Sequence, residues 1–328
     1  MSGAVLAFVE HAGGEPDRLS LEALAFARSL AGRLGAPLEA VLLASGGEGV
    51  AGQLGAHGVA AAHVASDSRL DDFAPAAWGA AIRAVVAARQ PAAVVVAGSE
   101  RGNEVLAHVA ARLGLPMAAN VIEVTPGDSW RLVRQRWAGS LLEDAALDAQ
   151  IRLLSVAPHA VVAAPAAAAA APAMSPFEPE LEPADLVARV VRREPKASAG
   201  VSLADAKVVV GGGRGVGSAA GFANLEALAN ELGGAVGGSR VVTSLGWRPH
   251  SDQIGQTGLR IAPDLYIACG ISGAIQHIVG CKAAKRILAI NTDPDSPIMA
   301  VADYAVIGDL GAVVPAITAE IERRRASA

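Results

Sequence analysis

The strongest constraint this sequence places on its own folding is an alternation. Short runs of valine, isoleucine and leucine, each long enough for one strand, are separated by amphipathic stretches of helical period. Strands buried on both faces read as continuous apolar runs, and the helix that crosses between two of them makes the pair parallel. The chain is therefore read as α/β, with two domains, each a mostly parallel sheet flanked by helices. Two are expected because 328 residues exceed what one hydrophobic core usually organises.

In the first half, Val5 to Glu10 reads as a strand, and Ser20 as the cap of a helix whose Leu21, Leu24 and Leu34 share a face. Gly35 and Pro37 stop that helix, and Leu38 to Ser45 is the next strand. Ala92 to Gly98 is a buried strand of valines, followed by a turn at Ser99 to Gly102 and a helix carrying Val105, Val109 and Leu113. Such a turn can hold phosphate, but with no second anion-binding group nearby it reads first as a tight connection. Beyond Pro116 strands become more frequent than helices.

Ala157 to Met174 is apolar enough to pose as a membrane span. Alanine drives insertion weakly, however, and Pro158, Pro165 and Pro172 interrupt the stretch, so it reads as a strand with a surface linker. Around 184–205 the pattern lapses into Arg192-Arg193-Glu194-Pro195-Lys196-Ala197-Ser198, an interdomain connection. The domains are accordingly drawn at 1–195 and 203–328, and no internal repeat is visible. In the second, strands are expected at Lys207 to Gly212, Leu265 to Gly270, Arg286 to Asn291 and Tyr304 to Leu310. Helices are expected at Phe222 to Leu232, Ile275 to Cys281 and Val313 to Arg325.

Composition removes several classes of function. With 27 basic against 32 acidic residues the net charge is -5, which offers nucleic acid or an anionic membrane no long-range attraction. Cys269 and Cys281 lack metal or disulfide spacing and read as reduced packing residues; no metal site is expected. The first ten residues carry neither basic patch nor long apolar run, so no leader is expected and the chain is placed in the cytoplasm.

Every polar cluster of the second domain follows a strand, where an open α/β sheet binds its ligands. Gly211-Gly212-Gly213-Arg214-Gly215-Val216-Gly217-Ser218 can bring backbone N–H groups to a phosphate, yet it fits neither the P-loop nor the dinucleotide fingerprint, and a plain glycine turn remains open. Gly237-Gly238-Ser239-Arg240 stands where a nicotinamide enzyme would carry an acid. Gln253-Ile254-Gly255-Gln256-Thr257-Gly258 joins amide and hydroxyl donors to close backbone approach. Gly270-Ile271-Ser272-Gly273-Ala274-Ile275-Gln276-His277 runs from a strand into a helix start, which favours anions. There His277 reads either as a donor to an anionic oxygen or as a structural histidine. Asn291-Thr292-Asp293-Pro294-Asp295-Ser296-Pro297 is a rigid turn, and Ala302-Asp303-Tyr304 with Asp309-Leu310 places a carboxylate at a strand end, able to accept from a ribose or an adenine amino group.

These loops, in this order, resemble the flavin-binding domain of the electron transfer flavoprotein alpha subunit over residues 207–318; Leu265-Tyr266-Ile267-Ala268, Pro297-Ile298 and Val301-Ala302-Asp303-Tyr304 add to the match. The first half is similar only in general pattern. At Thr292 and Gly217 this chain departs from the lysines common in that family.

The resemblance implies a Rossmann-like FAD-binding domain behind a nucleotide-hydrolase-like, partner-contacting domain. Arg214, Ser239, Asn291 and Asp309, with Leu310, would hold the phosphate, ribose and adenine parts. Arg240, Gln256, Thr257, Gln276 and His277 would reach the flavin ring, with Thr257 near the nitrogen that accepts hydride. Gln253, Ile254, Gly255, Gly258, Ser272, Gly273, Ala274 and Ile275 complete the expected site. No catalytic residue is implied, since the family carries electrons: from flavoprotein dehydrogenases, as in fatty acid β-oxidation, to a quinone oxidoreductase or similar acceptor, as a heterodimer with a beta subunit. Arg240 and His277, both taken as cations, would raise the potential of the first reduction step. The alternatives are an electron-bifurcating complex with NADH and a second FAD in the partner, and a non-redox nucleotide-binding regulator.

Overall fold

The computed structural model describes residues 3–192 and 201–327; residues 193–200, read above as part of the interdomain connection, lie outside the described residues. The chain divides into two compact units, Met1–Glu194 and Pro195–Ala328. Each has its own sheet and cores.

The first unit runs β1 (Val5–Phe8), a small hairpin β2 (His11–Ala12) and β3 (Glu15–Pro16), α1 (Arg18–Leu34), β4 (Leu38–Leu43), α2 (Gly47–Gln53), β5 (Ala61–Ala65) and α3 (Pro75–Arg89). It continues with β6 (Ala93–Ala97), α4 (Glu100–Leu113), β7 (Met117–Thr125), β8 (Trp130–Arg136), β9 (Leu141–Leu147), β10 (Arg152–Val156) and β11 (Ala173–Pro176). Nine strands form one sheet in the order β11-β5-β4-β1-β6-β10-β7-β8-β9. Strands β11 through β7 pair in parallel, and β8 and β9 extend the sheet as antiparallel partners.

Side chains alternate across the pleat. Val5 and Ala7 pack with Leu24, Phe26 and Leu30 of α1, while Leu6 and Phe8 pack with Trp78 and Ile82 of α3 and Val105 and Val109 of α4. The α1 cap differs from the expectation. Asp17 accepts from the backbone N–H of Leu19 and Ser20, so the helix begins earlier, and the Ser20 hydroxyl instead accepts from Glu10 N–H. From Ala157 up to β11 there is neither strand nor helix, and no described helix is long and apolar enough to cross a membrane.

Strand β4 carries a charge that its apolar neighbours conceal. Glu39 is buried, its carboxylate receiving His63 Nε2 at 2.7 Å and the Arg89 guanidinium at 2.9 Å. Burial alone would raise its pKa, but Arg89 and His63 together outweigh burial and hold the carboxyl below its ordinary 4.5.

The second unit runs β12 (Val208–Gly212), α5 (Phe222–Glu231), β13 (Ala235–Gly238), α6 (Arg240–Ser244), β14 (Leu265–Cys269), α7 (Ile275–Cys281), β15 (Ile287–Asn291), β16 (Tyr304–Ile307) and α8 (Leu310–Ala326). Its five strands are all parallel, in the order β13-β12-β14-β15-β16. Val209 faces a core with Tyr266 and Ile254, and Val210 a core with Phe222, Leu225 and Val314. Cys269 and Cys281 are buried free thiols whose pKa burial pushes up to about 12, which suits packing residues.

Because a lowered folded pKa adds stability above the unfolded value and loses it as pH falls through the folded value, Glu39 stabilises the first unit at neutral pH. Glu39→Gln is expected to cost about 2 kcal/mol in urea unfolding at pH 7, less than breaking a fully buried pair because Arg89 is 47% exposed. That difference should shrink as pH drops below about 4.5.

Candidate functional site

In the second unit the strand order reverses direction between β12 and β14, so the loops leaving their C-terminal ends splay apart and open a crevice. The two loops meet backbone to backbone at its floor. Gly213 N–H donates to Cys269 C=O at 2.9 Å and Gly215 N–H to Gly270 C=O at 3.0 Å. A Cβ on Gly213 would lie 2.2 Å from Gly270 O, and Gly270 itself holds φ +61° with its own Cβ position 2.7 Å from the Gly215 Cα. Only glycine fits such an approach.

Above this floor lies a cleft of about 520 Å³, within the range of cofactor sites. Arg214, Ser239, Arg240, Gln253, Ile254, Gly255, Gln256, Thr257, Ser272, Ala274, Gln276, His277 and Asn291 all line it. Sequence reasoning overlooked Asp293 and Ser296 as lining residues, although both stand in a loop it had singled out.

Charge and free donors converge on the cleft. Arg214 and Arg240 are exposed, with no ion pair to any described residue. Helices α6 and α7 begin at the cleft with no side-chain cap, whereas α1, α4 and α8 are closed by Asp17, Ser99 and Asp309. Uncapped N–H groups next to unpaired arginines make an anion-binding wall.

Opposite stands the 253–258 turn, tied to β13 by Ile254 N–H to Gly238 C=O at 2.8 Å and to α7 by Gln256 N–H to Gln276 C=O at 2.7 Å. Gln253 is buried beneath it and braces the turn: its carbonyl accepts from Thr243 Oγ1 at 2.8 Å and its amide donates to Thr257 Oγ1 at 2.9 Å. With its lone pair engaged there, the exposed Thr257 hydroxyl keeps its proton for the cleft.

His277 is also buried, and burial pushes its pKa down to about 4, the Ile254 backbone offsetting part of the shift. At neutral pH it is an uncharged imidazole, which corrects its reading as a cation; Arg240 alone of that pair brings charge. Its Nε2 lies 2.7 Å from the Tyr266 hydroxyl, and its Nδ1 has no hydrogen-bond partner among the described residues.

Other expected residues serve the frame. The Asn291 amide donates to Ile271 C=O at 3.0 Å and to Ser296 Oγ at 3.2 Å while its oxygen accepts Asp293 N–H, so it knits the loops after β14 and β15 together. Gly258 folds against Gln253 O, Gly273 against Ile298 N, and Ile275 is 68% exposed; none lines the cleft. Asp309 caps α8 through Gly311 N–H, and Leu310 is buried against Gly270, so this pair supports the floor from outside the lining. Asp303 sits at the opening end of β16, where it accepts from Arg286 and from Ile287 N–H, outside the cleft lining.

The crevice of the first unit, between β1 and β6, is closed by its own side chain. Ser99 caps α4 through Gly102 N–H and donates to the Glu10 carboxylate at 2.6 Å, in a pocket where burial raises the Glu10 pKa. The turn is thus a connection, its anion position taken by a carboxylate of the same chain. A larger cavity of the second unit, about 630 Å³ and bordered by Asn230 and Arg248, has its arginine neutralised by Glu226 and Asp252. Among the described residues no cluster could hold a metal ion.

Comparison with known proteins adds an independent finding. Residues 5–181 match the family model described as the electron transfer flavoprotein domain, and residues 202–282 that of the electron transfer flavoprotein FAD-binding domain. The chain is 35% identical over 320 residues to protein FixB of Clostridium saccharobutylicum, covering 96% of this chain and 95% of that one. It is 32% identical over 324 residues to the electron transfer flavoprotein subunit alpha of Bacillus subtilis, covering 98% of each. With the subunit alpha of Mycobacterium tuberculosis the identity is 37% over 325 residues, covering 98% of this chain and 99% of that one.

The floor contact gives a direct test. Gly213→Ala should force the two loops apart, cost about 2 kcal/mol of overpacking and weaken cofactor retention at least about tenfold in equilibrium titration. Ser218→Ala, an exposed change in the same loop that loses only the hydroxyl's bond from Gly221 N–H, should leave cofactor retention unaltered.

Proposed function

Because the chain belongs to the electron transfer flavoprotein family, as an alpha subunit that carries electrons with FAD as its cofactor, we propose that the cleft above β12 and β14 is where the FAD lies. The observation that carries this reading is the convergence on one crevice of unpaired arginines, uncapped helix starts and a buried imidazole with a free ring nitrogen. These are the features a pyrophosphate and a flat heteroaromatic ring require.

The residues divide by chemistry. Arg214, Ser239 and the N–H groups that open α6 bind the dinucleotide's phosphate and ribose parts, as a fixed positive wall. Thr257 would offer its O–H as a hydrogen-bond donor to the flavin ring, Gln256 and Gln276 would orient the ring's polar edge, and Arg240 would bring positive charge to it. Bound FAD supplies the reversible uptake and release of electrons. The protein's part is to fix the ring, to exclude water from its buried edge and to set the potential with charge and hydrogen bonds.

The partner is an electron transfer flavoprotein beta subunit, electrons come from flavoprotein dehydrogenases such as those of fatty acid β-oxidation, and a quinone oxidoreductase or a similar protein receives them, with the complex in the cytoplasm. What supports a partner surface on the first unit is its β8–β9 end, where Trp137 is 74% exposed beside exposed Leu141 and Leu142.

The heterodimer purified under mild conditions should show flavin absorbance with one FAD in this chain's cleft, and a colourless complex would end the reading. In spectroelectrochemistry Arg240→Ala should lower the potential of the first reduction step by about 59 mV if it removes about 1.4 kcal/mol of differential stabilisation. An unchanged potential would remove Arg240 from the ring's environment. Trp137→Ser should weaken association of the two subunits by about tenfold or more in sedimentation, without changing the fold of this chain.

A further inference from the structure

A residue that never reaches the cleft governs what His277 offers there. Tyr266 projects from β14 into the core, fully buried, and is absent from the cleft lining. Its phenol lies across the neighbouring strand, where a Cβ on Gly211 would come within 2.3 Å of the hydroxyl. Glycine inside a central strand weakens that strand, and here it leaves room for this phenol. The hydroxyl then meets His277 Nε2 at 2.7 Å, its only hydrogen-bond partner among the described residues.

The pair holds two donors, the phenol O–H and one imidazole N–H. If Nε2–H donated to the phenol oxygen, the phenol proton would be left without an acceptor in the core, where no ligand can reach it. If the phenol donates to Nε2, the imidazole proton sits on Nδ1, at a residue that lines the cleft and beside an Ile254 backbone that favours a donor. The first arrangement strands the phenol proton with no acceptor, which is costly; the second gives that proton an acceptor and leaves the buried Nδ1–H beside the Ile254 backbone, which favours a donor. Burial keeps the phenol and the nearby Cys269 and Cys281 thiols protonated, so no competing anion draws the phenol proton away.

We propose that Tyr266 is a positioning residue for the flavin site: by donating to His277 Nε2 it fixes the imidazole as the neutral Nδ1–H tautomer and holds this cleft-lining ring in one orientation. Gly211 belongs to the same device, because any side chain there would displace the phenol. This inference rests on the cleft holding FAD.

The test uses the whole heterodimer with this chain labelled with ¹⁵N-histidine, the His277 resonances being assigned by their loss in His277→Gln. Wild type should show the proton on Nδ1. Tyr266→Phe, which keeps the ring, should give mixed tautomers and weaken FAD binding about fivefold, the change that one ordinary net hydrogen bond supplies. In a His277→Gln background the same substitution should change FAD binding no further. Fluorotyrosine in place of this chain's 2 tyrosines, Tyr266 and Tyr304, keeps the fold and sharpens the donor, and should shift the His277 Nε2 resonance. An unshifted resonance, an unchanged tautomer in Tyr266→Phe, or full additivity of the two substitutions would overturn the proposal while FAD remained bound. FAD binding unaffected by Gly213→Ala and by His277→Gln alike would overturn the cleft assignment and this inference with it.

Discussion

The second unit depends on a backbone contact with no side chain in it. Where the loop after β12 crosses the loop after β14, Gly213 and Gly215 lie directly on Gly270, and each amide donates to a carbonyl across the junction. Parallel strands end with their loops on one side of the sheet, and reversal of strand order at β12 separates those loops enough to admit a ligand. The glycine contact limits that separation and fixes the depth of the cleft. Everything polar above it, from Arg214 to Asn291, takes its position from this junction. Leu310 and the capped start of α8 hold the same junction from the other side.

The two units show how one architecture can be open or closed to ligands. Both have a switch point, and in both a helix begins beside it. In the first unit Ser99 caps α4 and Glu10 fills the space, so the helix N-terminus meets a carboxylate already present. In the second, α6 and α7 start without caps, and unpaired Arg214 and Arg240 face the opening. Sheet topology alone therefore does not select a binding unit; the fate of the helix-terminal N–H groups does.

Much of this was legible in the sequence because periodicity and loop placement are local properties. The valine runs at β6 and β12 and the polar clusters after each strand mark the sheet and its ligand edge without further information. What escaped was pairwise. Ser20 and Asp17 both suit a helix cap, and only the reach of the Asp17 carboxylate decides between them. The cleft-lining Asn291 also spends its amide donors on Ile271 and Ser296, a bond between loops that no spacing reveals. His277 looked like a cation until its burial and its Tyr266 partner were seen together. Glu39, inside an apolar strand, gave no sign of its pairing with His63 and Arg89, because nothing in the spacing joins those positions.

The account turns on a single cofactor lying across that glycine junction. A density map of the native heterodimer at near-atomic resolution tests it most directly. The account predicts FAD with its pyrophosphate beside Arg214 and Ser239 and its ring between Thr257 and His277. Density for the dinucleotide elsewhere in the chain, or those loops enclosing a different molecule, would contradict it.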